Sequence, residues 1–216
     1  MSGILLIRVS RARVLAFSDF VAVLLGDDLW AREAVTVLTG ALERSPHVDF
    51  FHTSRVIIDE NDRPISSIYP ARDHFSLDEF VHGSPVKHLL CWRREKALEI
   101  GGVDERGIIG PDDWDFPWTM AEAGAVFEPI QDCLYLYRDH RESFRLTTHV
   151  SLAAQARDVR RVLRKHGVGR SHSRLVVREM KQRHLRQCLY RNALDRTVKV
   201  RLLRRVPSDG WRDTYR

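Results

Sequence analysis

The 216-residue sequence predicts an α/β domain, a mixed sheet flanked by helices. Three observations predict it. Short apolar runs rich in β-branched and aromatic residues alternate with stretches of helical period. Glycines or a proline close the helical stretches. Acidic residues recur where an apolar run meets a loop, the place where open α/β sheets bind ligands.

The elements follow in order. "MSGILLIRVSRARVLAF" offers one strand and part of a helix. Residues 14–25 read as a buried strand that runs into "LLGDDLW". Residues 29–43 have helical spacing, with Ala34, Val35, Val37, Leu38 and Leu42 able to share a face, and "RSPHV" stops them. Residues 49–58, "DFFHTSRVII", read as a strand and "DENDRP" as a turn. Ser76 and Glu79 form a capping box for a short helix to Val81. Residues 89–92 make a short strand, and "RREKALEI" makes a helix stopped by Gly101 and Gly102. A helix from Asp112 to Ala123 stops on Gly124 and tolerates Pro117 near its first turn. "AVFEPI" and "CLYLYR" read as two short strands, followed by helices over 150–165 and 173–203.

Composition narrows the class. With 44% hydrophobic and 30% charged residues, the chain is an ordinary globular sequence. Cys91, Cys133 and Cys188 lie far apart without a CxxC, which suits reduced thiols and a cytoplasmic setting. No apolar run approaches the roughly 20 residues of a membrane span. Arg8, Arg11 and Arg13 before "VLAFSDFVAVLL" imitate a signal peptide, but Asp19 interrupts the run and no small-residue cleavage site follows. Charge is uneven: residues 151–216 hold 19 Lys and Arg against 5 Asp and Glu, and the rest hold 16 against 24. The expected organisation is a domain over 1–166 and a basic helical tail over 167–216. A basic amphipathic tail suits peripheral contact with an anionic membrane, or simple packing on a core. No helix-turn-helix, RNP-like or zinc-finger pattern supports nucleic acid as a partner.

Three stretches can carry chemistry. Asp27 and Asp28 follow a buried strand, where a pair of acids can hold a cation or Asp28 can cap the next helix. Taken alone, the cap is the better reading. "GPDDWDFPW" places Asp112, Asp113 and Asp115 at a helix start between Trp114 and Trp118. It reads equally as a charged first turn or as a general base beside an aromatic wall for a sugar. "LYLYRDHRES" puts Arg138, His140 and Arg141 at or past a strand end, where the histidine is a metal or phosphate ligand or a structural group. The HExxH, Walker, GxSxG and GxGxxG patterns are absent.

The order "LLGDDLW", "RREKALEIGGVDE", "GPDDWDF", "YRDH" resembles that of family-2 glycosyltransferases, inverting nucleotide-sugar enzymes of GT-A fold. The resemblance covers about residues 18 to 165. It implies a GT-A-like sheet, a nucleotide-sugar donor, a glycan or lipid-linked acceptor, and Mg²⁺ or Mn²⁺. By this resemblance Asp27 is the last acid of a DxD-type metal motif and Asp28 the donor-side acid after it. Asp113 is the general base, with Asp112, Trp114 and Trp118 toward the acceptor. His140 completes the metal site. Leu25 and Gly26 stand where the first two positions of the DxD-type motif fall.

Only 23 residues precede Leu24, whereas the family's first βαβ unit alone takes about 30. The sequence therefore predicts a piece of a longer gene product, a diverged member, or a chain completed by a partner, in that order. It also predicts weak or no donor binding by the isolated chain. The alternative function is a non-catalytic binding or scaffold protein.

Overall fold

The structure, a computed structural model, describes residues 4–8, 18–104, 112–139 and 151–191. Six strands form one mixed sheet in the order β1-β2-β5-β4-β6-β3. They are β1 (Ile4–Arg8), β2 (Phe20–Leu24), β3 (Leu29–Trp30), β4 (Phe50–Ile58), β5 (Leu90–Arg93) and β6 (Phe127–Arg138). The helices of this part are α1 (Ala34–Arg44), a 3₁₀ helix (Leu77–His82), α2 (Arg94–Glu99) and α3 (Asp112–Glu122).

Both faces of the sheet are covered. In β2, Phe20 and Ala22 join α1 residues Ala34, Leu38, Ala41 and Leu42 in one apolar layer. Val21 and Val23 point the other way, into a layer with Ala97 of α2 and Phe116 and Met120 of α3. Phe51 and Phe50 divide between the same two layers, as neighbours on a strand must. This explains why the strands read as near-continuous apolar runs.

Helix ends follow the sequence signals. Gly101 and Gly124 have φ of +84° and +74°. Gly102 and Ala125 donate N–H to the carbonyls of Ala97 and Met120 at 2.8 and 3.0 Å, a Schellman closure in both cases. At the 3₁₀ helix, the Ser76 N–H donates to the Glu79 carboxylate at 3.0 Å, as the capping box requires.

Two expectations change. The helix expected over 29–43 begins only at Ala34, with Glu33 at the N-cap position. Leu29 and Trp30 instead pair antiparallel with Leu136 and Tyr135, and the Ala31 N–H donates to the Leu134 carbonyl at 3.0 Å. A sheet edge with free donors captures two residues that helical periodicity alone would enrol. The two strands expected around 125–138 are one, β6, parallel to β4 with register shifts at Ser54. Thr53 faces Ile130, Ser54 faces Cys133 and Arg55 faces Tyr135, so β6 carries extra residues there. The irregularity leaves the neighbours Leu134 and Tyr135 in the same apolar layer, which strict alternation forbids.

The chain divides into two compact units, Met1–Phe144 and Arg145–Arg216. The division falls ahead of the 166/167 seam expected from the glycines. In the second unit, α4 (Leu152–Lys165) and α5 (Arg170–Arg191) form a helical hairpin around buried Ala156, Val162, Leu163, Val176 and Val177. Ser151 caps α4 by accepting from the Ala154 N–H at 3.2 Å. Residues 192–203 of the last expected helix lie outside the described residues.

Candidate active site

Sheet direction brings the acidic stretches to one edge. β5 is antiparallel to both β2 and β4, and β4 is parallel to β6. The C-terminal ends of β2, β4 and β6 therefore share an edge with the N-terminal end of β5. That edge is where α/β sheets bind ligands. It receives "LLGDDLW" after β2, the Asp59–Arg63 turn after β4, Arg138 at the end of β6, and His88 just before β5.

Asp27 and Asp28 have different fates. Asp28 is only 5% exposed. The Tyr135 hydroxyl donates to its Oδ2 at 2.6 Å and the Arg138 N–H donates to its Oδ1 at 2.7 Å. The Tyr135 oxygen also accepts from the Leu25 N–H at 3.3 Å. Burial raises the Asp28 pKa, opposed by these two hydrogen bonds and reinforced by the nearby Asp27 charge. Asp28 thus ties the end of β2 to β6. It does not cap α1, whose N-cap position is Glu33. Asp27 is exposed, and its carbonyl accepts from Arg138 Nε at 2.7 Å.

Arg138 is the hub of the edge. Beyond Asp27, its Nη1 donates to the Asp59 carbonyl at 2.8 Å, and its Nη2 lies 2.5 Å from Asp62 Oδ1. One guanidinium fork therefore fixes the loop after β2 and the turn after β4 together. His140 and Arg141 lie outside the described residues.

Asp112 and Asp113 open α3, where free N–H groups favour carboxylates. Asp113 Oδ2 is 3.5 Å from His88 Nε2. Half of the Asp113 side chain meets solvent, while His88 is buried. Crowding by protein opposes ionisation of Asp113. The nearby His88 imidazole and the positive field of Lys87 and Arg55 outweigh it, so its pKa falls below the ordinary carboxylate value. Asp112 moves the other way, through burial first and the Asp113 charge second. The pair is split into one acid held ionised and one that keeps its proton longer, an arrangement suited to distinct roles.

Trp114 and Trp118 are not an exposed wall. They are 8% and 3% exposed. Trp114 Nε1 donates to the Phe80 carbonyl at 2.6 Å. The two indoles stack at 5.9 Å, and Trp118 stacks on Phe80 at 5.9 Å. Their spacing of four along α3 puts both on its inner face, where they anchor the helix on the 3₁₀ segment. Their burial leaves them no open face for the acceptor-side role expected of them.

Sequence reasoning passed over two residues, His88 and Tyr135. Their rings stack at 5.3 Å with 29° between planes. Through them the first acidic stretch touches the second: Asp28, Tyr135, His88 and Asp113 form one continuous chain of contacts. The available signal was a polar-tipped ring inside the apolar "CLYLYR" and a histidine opening the apolar "HLLCW".

Among the described residues no three His, Cys, Asp or Glu side chains cluster in a way that could hold a metal ion. Asp28 is spent on protein donors, so Asp27 is the exposed carboxylate of its pair. A single carboxylate fits Mg²⁺ bound mainly through phosphate oxygens and water. It does not fit a cation held by protein alone.

No protein-family model matches the chain, and no curated protein matches it. Solved structures do. The TarS protein of S. aureus in complex with UDP-GlcNAc superposes with a TM-score of 0.52 at 16% identity, covering 78% of this chain and 49% of that one. TarS alone gives 0.48 at 15% identity, covering 79% and 48%, and TarS with UDP gives 0.47 at 17%, covering 78% and 48%. The chain thus spans about half the length of the TarS chains it matches. At this identity the likeness is one of fold alone, a mixed α/β sheet flanked by helices.

Proposed function

We propose that the chain provides the metal- and acceptor-side half of an inverting, metal-assisted glycosyltransferase. The observation that supports this most is the meeting of two acidic stretches at one sheet edge, with Asp27 exposed on one and Asp113 held ionised on the other. Inverting transfer needs these functions on opposite sides of the sugar. In this reading Asp27, with His140, binds Mg²⁺ or Mn²⁺ on the donor diphosphate. The cation supplies charge neutralisation of the departing nucleoside diphosphate. Asp113 accepts the acceptor hydroxyl proton, and Asp112 hydrogen-bonds the acceptor. The donor is a nucleotide sugar, as TarS was crystallised with UDP-GlcNAc. The acceptor is a glycan or lipid-linked glycan.

The test is transfer from UDP- or GDP-sugars with Mn²⁺, in the chain as given and in any longer product that contains it. Asp113→Asn should reduce turnover by about 10²- to 10⁴-fold with little change in donor affinity. Full activity of that variant would remove the base assignment. Asp27→Asn should raise the Mn²⁺ concentration needed for half-maximal rate, and chelation should stop transfer. The isolated chain should bind donor weakly or not at all, and micromolar binding by calorimetry would contradict this.

One observation favours the alternative of a non-catalytic binding or scaffold protein. Leu25 replaces an acid, and Asp28, the next candidate, is locked to Tyr135 and Arg138. No transfer by the chain or by any longer product that contains it, with donor binding retained, would support it.

The helical hairpin suits peripheral membrane contact in this reading. Arg157, Arg160, Arg161 and Arg164 of α4 and Arg170, Arg174 and Arg178 of α5 are exposed. No helix among the described residues is long and apolar enough to cross a membrane. Salt-sensitive binding to anionic vesicles, and none to neutral ones or to DNA, is the expected result.

A further inference from the structure

His88 is buried at the candidate active site, yet the roles assigned to the acids leave it without one. Its Nε2 lies 3.5 Å from Asp113 Oδ2, and its ring rests on Tyr135. Its Nδ1 is buried with no hydrogen-bond partner. Tyr135 in turn is fixed at both functions of its hydroxyl, donating to Asp28 and accepting from Leu25. The imidazole therefore sits on an immobile platform with one nitrogen pointed at a solvent-facing carboxylate.

We propose that His88 is a positioning residue for Asp113, acting as a neutral imidazole that donates its Nε2–H to the carboxylate. This rests on Asp113 as the general base. The tautomer follows from the two nitrogens. If Nδ1 carried the proton, a buried donor would be orphaned, at a cost of about 1–3 kcal/mol. An Nε2 lone pair would also face an ionised oxygen. With the proton on Nε2, the donor meets its acceptor and the orphan is a lone pair alone.

The consequence for transfer is geometric. A carboxylate that accepts an N–H on one oxygen is turned so that the other is free for an acceptor hydroxyl. The hydrogen bond also opposes protonation of Asp113, alongside the charges of Lys87 and Arg55 and against that of Asp112. His88 thereby keeps the base both aimed and available, and touches no substrate itself. The stack on Tyr135 makes the aim depend on the loop that bears Asp27.

Nitrogen-15 spectra of the imidazoles in the full chain should show His88 as the Nε2–H tautomer at neutral pH. An Nδ1–H tautomer would overturn the proposal without any substitution. Carbon-13 titration of the Asp113 carboxyl should move upward in His88→Ala and return toward wild type in His88→Gln, whose amide can donate at similar reach. An unmoved titration in His88→Ala would overturn it as well. Where transfer is measurable, His88→Ala should lower kcat about 10- to 100-fold with donor KM unchanged, and His88→Gln should recover most of it. An Asp113 shift in a chain that never transfers sugar would end the proposed function and leave the pairing intact. Transfer that proceeds with Asp113 indifferent to His88 would end the pairing alone.

Discussion

The imidazole of His88 lies on the phenol ring of Tyr135, 5.3 Å between centroids and 29° from parallel. The phenol hydroxyl reaches Asp28 at 2.6 Å. Two side chains with no acid beside them in the sequence thus join two acidic stretches.

The first prediction concerns that junction. Tyr135→Phe keeps the ring under His88 but removes the hydroxyl from a buried carboxylate. Asp28 is left with the Arg138 N–H and the Leu25 N–H loses its acceptor. We predict a loss of about 1–3 kcal/mol in urea unfolding, with the His88 tautomer unchanged. A neutral effect would mean that Asp28 is satisfied by other means.

Arg138 should act as a clamp on two loops. Arg138→Lys retains the charge but not the fork that serves Asp27, Asp59 and Asp62. Amide hydrogen exchange over residues 25–28 and 59–63 should speed up together, while α1 stays as protected as before. Acceleration in only one segment would show that the two are held separately.

His52 should make stability depend on pH. It is fully buried, neither ring nitrogen has a hydrogen-bond partner, and burial lowers its pKa from 6.5 to about 4, with Asp73 opposing. The folded chain thus favours neutral imidazole. Its contribution is complete above pH 6.5, where both states are neutral, and is lost as pH falls toward 4, because the unfolded chain takes up the proton first. The loss should be of the order of 3 kcal/mol. A His52→Leu variant should lack that part of the slope when urea midpoints are compared from pH 7 to pH 4. Parallel profiles would refute the assignment.

Trp114 should behave as a core residue. Trp114→Phe should cost roughly 1 kcal/mol for the lost bond to the Phe80 carbonyl, on top of any packing defect, and Trp114→Ala about 3–5 kcal/mol. A sugar-stacking residue would give the opposite pattern, with weak acceptor binding at normal stability.

What the sequence revealed and what it hid follow physical lines. β2, β4 and α3 were legible because their apolar periods and terminal glycines are local. So was the placement of acids at strand and helix ends. β3 was not legible: two residues pair with a strand more than a hundred positions away, and no local period records that. The division of labour between Asp27 and Asp28 was equally hidden, since only tertiary packing shows which one Tyr135 and Arg138 claim. Trp114 and Trp118 misled because three acids around them suggest an exposed turn, although their spacing of four already put both on one side of the helix. His140 lies outside the described residues, so its part in the site stays with the proposal.

The irregular stretch of β6 has a meaning for how this chain can vary. Tyr135 faces the edge it serves only because surplus residues between Ile130 and Tyr135 shift the phase of the strand against β4. Substitutions within 131–133 are cheap by comparison, as most of those side chains do not enter the core. A change in number is not cheap. Losing one residue there would turn the phenol away from Asp28 and take the support from beneath His88, while every named acid remained in the sequence. Spacing in that strand is therefore a better marker of a working relative than the acids themselves.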